Sequence, residues 1–249
     1  MNQDIAQSST NELQHRDGVG PVVELSRVLF SWPGERFRLS IEAFEVQRGE
    51  RLLLIGPSGG GKSTLLSLIA GIIVPQRGHV RDLDQELTLM SSAGRDRFRA
   101  EHIGVIFQMF NLLPYGSVLD NVLLPLSFAP MRRTRVITEG SERTEARRLL
   151  SALGLSEDLF DGPSTALSVG QQQRVAAARA LIGAPEIIIA DEPTSALDDA
   201  AQERFVTLLF EQLSAAHATL IMVSHDERLT PKFDRVCHLT NVINTGPTA

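Results

Sequence analysis

Cysteine occurs once in these 249 residues, at Cys237, and tryptophan and tyrosine occur once each. A single cysteine excludes any disulfide within the chain, which suits a reducing compartment. The thiol is expected to be a small buried apolar group. No apolar run comes near the roughly 20 residues that a membrane-crossing helix needs, so any membrane role is expected to run through a partner. Positive charge is not in excess: 24 Lys and Arg stand against 30 Asp and Glu, a formal net charge of −6. That balance argues against a general nucleic-acid binder, and no nucleic acid is expected among the partners. It leaves phosphate binding open, because phosphate needs only local cations and backbone N–H donors. Residues 1 to about 20 are rich in Gln, Ser and Asn and lack an apolar stretch. They read as a disordered tail and not as a signal peptide.

What is present is a globular composition, long enough to bury a sizeable core in one large domain. From Val22 two segments, PVVELSRVLFSW and RFRLSIEAFEV, alternate apolar and polar as half-buried antiparallel strands do. The run from Arg51 to Ile55 is different: it is continuous and apolar, glycines follow at once, and a helical stretch runs from Ser63 to Ala70. Further continuous runs lie at Ile103 to Phe107, Glu186 to Ala190 and Thr219 to Val223, with helical patterns between them such as Ala201 to Ser214. Buried strands joined by helical crossovers predict a mostly parallel sheet covered on both faces. The stretch from about 111 to 183 contains no strand-like run. It reads as an inserted helical subdomain, with helices at Val118 to Phe128, Ser141 to Leu153 and Gly170 to Ile182.

Three clusters carry chemistry. The first is Gly56-Pro57-Ser58-Gly59-Gly60-Gly61-Lys62-Ser63, which fits the phosphate-cradling pattern GxxxxGK[ST] between a buried strand and a helix. Its glycines let successive N–H groups face phosphate oxygens, and the helix adds the positive end of its dipole. Lys62 offers a mobile charge to the β and γ phosphates, and Ser63 offers a hydroxyl to Mg²⁺. The second is the strand Ile187-Ile188-Ile189-Ala190 ending in Asp191 and Glu192. Asp191 is suited to holding the metal and Glu192 to polarising a water for attack on a γ-phosphate. The third is Leu167-Ser168-Val169-Gly170-Gln171 at the head of an alanine-rich helix, a second place where free N–H groups meet a capping hydroxyl.

In order and content these pieces resemble the ATP-binding domain of ABC transporters, over about residues 22 to 240. The resemblance implies an α/β P-loop ATPase fold over residues 21 to 249, with a mostly parallel core sheet, an antiparallel β subdomain and an inserted helical subdomain. It also implies that Leu167 to Gln171 is the signature, with Val169 where the family usually has glycine, so that residue 169 must keep a negative φ. Gln108 matches the family's Q-loop glutamine and becomes a candidate for the metal along with Ser63 and Asp191. Ser195-Ala196-Leu197-Asp198 matches the D-loop, and His225 the switch histidine. Trp32 stands where an aromatic residue stacks on adenine, and Thr64 completes the nucleotide contacts of the P-loop.

By the same resemblance, two identical chains pack head to tail on ATP, each P-loop facing Ser168 to Gln171 of its partner. Glu192, His225 and Lys62 then carry hydrolysis with Mg²⁺ as cofactor. The implied partner is an integral membrane permease, and the implied location is peripheral, on the cytoplasmic face of a bacterial inner membrane. The phrases IGVIFQMFNLLP and DNVLLPL resemble the branch serving MacB-like, lipoprotein-releasing and FtsX-like permeases. The apolar stretch Phe110 to Tyr115 is expected either to line a groove for a partner helix or to pack on the helical subdomain. The basic run Met131 to Arg135 reads as a solvated helix face, with lipid head groups as the alternative. Other readings are an ATPase of nucleic-acid repair, a P-loop kinase, and a regulator signalling through an FtsX-like membrane protein without transport. The first lacks its long insertion, and the second gives no reason for a signature. The third is not separable from a transporter by sequence.

Overall fold

The computed structural model describes residues 20–34, 37–57 and 59–247. The tail expected over residues 1 to 20 lies, but for Gly20, outside them, as does Ser58. The chain begins with β1 (Val23–Ser31) and β2 (Phe37–Val46), whose alternating burial follows from the alternating sequence. They join β4 (Arg77–Asp82), β5 (Gln85–Glu86) and β10 (Asn244–Pro247) in an antiparallel sheet of order β10-β2-β1-β4-β5.

The second sheet has the order β6-β7-β8-β3-β9, and every pairing in it is parallel. Its strands are β3 (Arg51–Ile55), β6 (Ile103–Ile106), β7 (Ile187–Asp191), β8 (Thr219–Ser224) and β9 (Arg235–His238). β8 is buried at every position and β7 at all but its last, as expected of apolar strands covered on both faces. One face packs with α1 (Lys62–Ile69) against the antiparallel sheet, where Leu52, Leu54, Ile189 and Val223 meet Leu25, Ile41 and Leu65. The other face packs against α6 (Val169–Leu181) and α7 (Asp199–Ala215), through Leu53, Ile188, Leu220 and Met222. α2 (Ser92–His102) leads directly into β6. At Gly104 on β6 an added Cβ would stand 2.2 Å from the carbonyl oxygen of Ala180, so only glycine lets the end of α6 approach this closely.

Between β6 and β7 the chain is helical: α3 (Val118–Leu123), α4 (Pro130–Glu139), α5 (Glu142–Ala152) and then α6. The helix expected from Val118 to Phe128 stops at Leu123 and tightens into a 3₁₀ turn, Leu124–Ser127, where Pro125 removes a backbone donor. The basic run Met131 to Arg135 lies on α4, but the expectation of a solvated face fails at Arg132, which is 2% exposed. Its guanidinium donates to the carbonyl oxygens of Ala100, Ala180 and Ile182. Burial pushes its pKa down to about 10, with the Arg135 charge adding to the fall. A helix end supplies the acceptors that a buried guanidinium requires, and nothing in the local sequence announces it. Cys237 is half-buried, short of the burial expected, because among the described residues β9 is an edge strand paired with β3 alone.

One buried group opposes folding. Asp82 follows Val80 by two on β4, so both face the core. Neither Asp82 carboxylate oxygen has a partner among the described residues, and burial raises its pKa well above the usual value of 3.8. The stability it contributes is therefore complete below pH 3.8 and is lost as the pH rises through the raised folded-state value. Asp82→Val should stabilise the protein by about 1–3 kcal/mol at neutral pH, and by less at pH 4. Urea melts at both pH values check this; a variant less stable than the parent at neutral pH would contradict it.

Candidate functional site

The register of the parallel sheet assembles the site. Ile55 on β3 lies opposite Ser224 on β8, Asp191 on β7 opposite Val223, and Ile106 on β6 opposite Ala190. The segments that follow these four strands therefore emerge at one edge: Gly56 onward, Glu192, His225, and Phe107 with Gln108. In a parallel sheet the carboxyl edge is where ligands bind.

The glycine loop leads into α1, whose N-cap is Gly61 at φ 90°. That left-handed conformation strongly favours glycine. Gly61 has no side chain to cap this helix, so among the described residues its first N–H groups have no side-chain acceptor. By contrast α2, α3, α5, α6 and α7 are capped by Ser91, Ser117, Ser141, Ser168 and Asp198. Gly59, Gly60 and Pro57 shape the turn, with the Gly60 N–H donating to the Pro57 carbonyl at 3.1 Å. Lys62 is buried, and its Nζ donates to the Gly56 carbonyl at 2.9 Å and sits 3.0 Å from Oε1 of Glu192. Ser63 Oγ donates to Oδ2 of Asp191 at 3.3 Å, and Thr64 follows half-buried. Burial pushes the Asp191 carboxyl up; the Ser63 hydroxyl pulls it back, the Glu192 charge reinforces the rise and Lys62 opposes it.

Glu192 holds a strained backbone, φ 44°, in a region that non-glycine residues seldom adopt. Its N–H donates to the Val223 carbonyl at 3.0 Å, and its Oε2 lies 3.4 Å from Nδ1 of His225. One carboxylate thus touches Lys62 at the start of α1 and His225 just past the end of β8. Strain of this kind persists where surrounding contacts over-determine it, often at sites of chemistry. Glu192, Ser195, Leu197, Ser224 and His225 line a cleft of about 350 Å³.

Sequence reasoning missed the support behind His225. Asp226 accepts from the Arg228 N–H at 3.0 Å, from the Arg228 guanidinium at 2.8 and 2.9 Å, and from Gln202 Nε2 at 2.7 Å. The Arg228 hydrogen bond chiefly holds the Asp226 carboxyl well below its ordinary range. The signal was available: Asp two residues before Arg at the start of a turn is an Asx pattern.

The signature segment stands apart. Ser168 Oγ accepts the Gln171 N–H at 3.4 Å, and Gln171 Oε1 accepts the Ser168 N–H at 2.8 Å, a reciprocal cap. Val169 begins α6 and is not among the residues at positive φ, so the missing glycine costs the backbone nothing. Gly170 faces Leu197 of the D-loop segment, and Asp198 caps α7 through the Ala201 N–H at 2.8 Å. No hydrogen bond or ion pair among the described residues joins Ser168, Val169, Gly170 or Gln171 to the P-loop. Trp32 lies exposed just past β1, its ring edge-on to Phe30 at 5.1 Å. Gln108 is exposed and Ala196 likewise.

An apolar groove of about 660 Å³ runs between the sheet and the inserted helices, lined by Ile72, Phe107, Leu124, Pro125 and Phe128 among others. Of the stretch Phe110 to Tyr115, Asn111 lines it. Phe110 and Leu112 pack on the core instead, and Tyr115 is exposed. Among the described residues no helix is long and apolar enough to cross a membrane.

The family model described as ABC transporter matches residues 39–195. The lipoprotein-releasing system ATP-binding protein LolD of Syntrophotalea carbinolica is 38% identical over 208 residues, covering 84% of this chain and 88% of that protein. YbbA of Escherichia coli K12, an uncharacterized ABC transporter ATP-binding protein, is 41% identical over 196 residues, 79% of this chain and 83% of its own. Among solved structures, the dimeric post-hydrolysis state of the ATP-binding cassette MJ0796 bound to ADP and Pi superposes with a TM-score of 0.75 at 31% identity. It covers 90% of this chain and 98% of that one.

Proposed function

The chain belongs to the ABC transporter family of ATP-binding domains, and on that footing we propose that two copies clamp ATP between the P-loop of one and the Ser168-led helix tip of the other. It is an ATPase subunit of an ABC transporter. The observation that carries the dimer reading is the separation of two phosphate-binding elements within one chain. The P-loop meets Asp191 and Glu192 directly, and Glu192 in turn meets His225, while the signature tip makes no hydrogen bond or ion pair to the P-loop among the described residues. A second copy supplies the missing half. That the related MJ0796 cassette was solved as a dimer supports the reading.

The chemistry is hydrolysis of ATP to ADP and phosphate. Trp32 stacks on the base, and the loop Gly56, Pro57, Ser58, Gly59, Gly60, Gly61, Lys62, Ser63 and Thr64 wraps the phosphates, with backbone N–H groups offered by every residue of it but Pro57. Glu192 orients the attacking water and accepts its proton as the oxygen bonds to the γ-phosphorus and the bond to the β-phosphate oxygen breaks. His225, braced by its turn, holds the γ-phosphate in line. Lys62 neutralises charge that builds on the transferring group. The donor set of Ser63 hydroxyl and Asp191 carboxylate, with Gln108 nearby in sequence to the same sheet edge, is hard oxygen and fits Mg²⁺, which neutralises phosphate charge when bound. The D-loop segment Ser195 to Asp198 carries the dimer contact beside Gly170.

Gly170→Glu tests the trans contact. A carboxylate at the helix tip should lower turnover by about 10²-fold or more, because it meets the partner's γ-phosphate. ATP affinity of the isolated chain should stay within about twofold, since the cis P-loop is untouched. An equal loss in both would contradict the reading.

We assign the apolar groove to a helix of a membrane permease of the FtsX-like or MacB-like branch, and the chain to the inner face of a bacterial membrane. The similarity to LolD supports that branch. Purification from membranes with mass spectrometry of what accompanies the chain should return such a permease. Recovery of an FtsX-like protein together with cell-wall enzymes would favour signalling without transport.

A further inference from the structure

The helix that carries the signature also grips the loop that carries Gln108. Arg179 lies near the end of α6 and reaches across to that loop. Its Nη1 donates to the Asn111 carbonyl at 2.6 Å and its Nη2 to the Phe110 carbonyl at 2.5 Å. These two acceptors are consecutive residues at positive φ, 54° for Phe110 and 50° for Asn111. Neither is glycine, so both are held in a conformation that costs energy and needs outside support. Within the loop the Phe110 N–H donates to the Phe107 carbonyl at 3.1 Å, and the Asn111 N–H to the Met109 carbonyl at 2.5 Å. Gln108 sits inside that coil. A planar fork carrying two parallel donors suits two adjacent carbonyls in a way that a single ammonium does not.

A second side chain of α6 repeats the arrangement on the other site loop. Gln173 is fully buried and donates through Nε2 to the carbonyl of Pro193, the residue after strained Glu192. The far end of α6 is tied to the groove, because Arg132 takes the Ala180 and Ile182 carbonyls and lines the groove with Arg179.

We propose that Arg179 is a positioning residue for hydrolysis: from the signature helix it holds the Gln108 loop in its reactive shape. One rigid helix then joins the tip facing the partner's nucleotide, the catalytic loop, the Gln108 loop and the permease groove. This rests on the metal role assigned to Gln108 above. Arg179 touches no part of the P-loop among the described residues, so ATP affinity does not depend on it.

The test is Arg179→Met, which keeps an apolar stem and removes the fork, measured alone and combined with Gln108→Ala. Turnover per folded molecule should fall by about 10- to 100-fold, since a misplacement of about 1 Å costs this much. ATP affinity should stay within about twofold, and the Mg²⁺ concentration giving half-maximal turnover should rise. A role in folding alone would lower the melting temperature and leave turnover per folded molecule and Mg²⁺ dependence where they were; that result overturns the proposal. In the Gln108→Ala background the substitution should add little, because both act through one loop. Additive losses with Gln108→Ala itself impaired overturn this inference alone. Wild-type turnover in Gln108→Ala overturns the Gln108 role and this inference with it. If Arg179→Met does not fold, Arg179→Lys carries the same test, with a smaller fall expected and the same non-additivity required.

Discussion

Glu192→Gln lowers turnover by about 10²- to 10⁴-fold, the range expected for loss of a positioned base, while ATP still binds. The amide keeps the size and the strained backbone of the parent, and it still accepts from Lys62 Nζ, which stands 3.0 Å from Oε1. It cannot take the proton of the attacking water. The second contact, 3.4 Å from Oε2 to His225 Nδ1, also loses its charge, so the histidine is less firmly held. Steady-state turnover with a separate nucleotide-binding titration separates the effects. Loss of affinity in step with turnover would mean that Glu192 builds the pocket and does not run the chemistry.

Lys62→Met should act on both. Nζ is buried between the Gly56 carbonyl at 2.9 Å and Glu192 at 3.0 Å, so the cation is held where phosphates approach the uncapped end of α1. Its removal deletes a side-chain charge placed to meet the β and γ phosphates and leaves Glu192 without the ammonium 3.0 Å from its Oε1. Truncating one member of a close buried charge pair costs about 2–5 kcal/mol, so turnover at low ATP should drop by about 10²- to 10³-fold. Affinity should weaken as well, which distinguishes this variant from Glu192→Gln. Arg in place of Lys should not rescue, because the guanidinium fork is too broad for a pocket closed by one carbonyl and one carboxylate.

The parts that were legible in the sequence are those where local pattern and chemistry coincide. Glycines between an apolar strand and a helix fixed the cradle, and Ile187 to Ala190 ending in acids fixed β7 and its site. Both depend on neighbours in the chain. The antiparallel pair β1 and β2 showed through its period of two. The strands β4, β5, β9 and β10 did not, because they are short, polar or at sheet edges, where burial is incomplete and alternation weak. Val169 kept a helical φ because Ser168 and Gln171 close a reciprocal cap around it, which any residue at the first helical position can share.

Arg132 shows where reading along the chain runs out. The run Met131 to Arg135 is basic and gives a solvated face by pattern. Three carbonyls from α2 and the end of α6 converge on one guanidinium only once the helices pack. The grip of Arg179 on Phe110 and Asn111 spans 69 and 68 residues and is hidden in the same way. Asp82 is hidden differently: its alternation with Val80 points it inward, but a carboxylate left without a partner is not foreseen by any pattern rule.

The clamp of two chains around ATP is tested most directly by the molecular mass of Glu192→Gln in solution, by light scattering, with saturating MgATP and with MgADP. A mass twice that of the 27.3 kDa chain with ATP, returning to one chain with ADP, is the result expected. A chain that binds ATP and stays single in both, alone and in the presence of its membrane partner, would contradict the account.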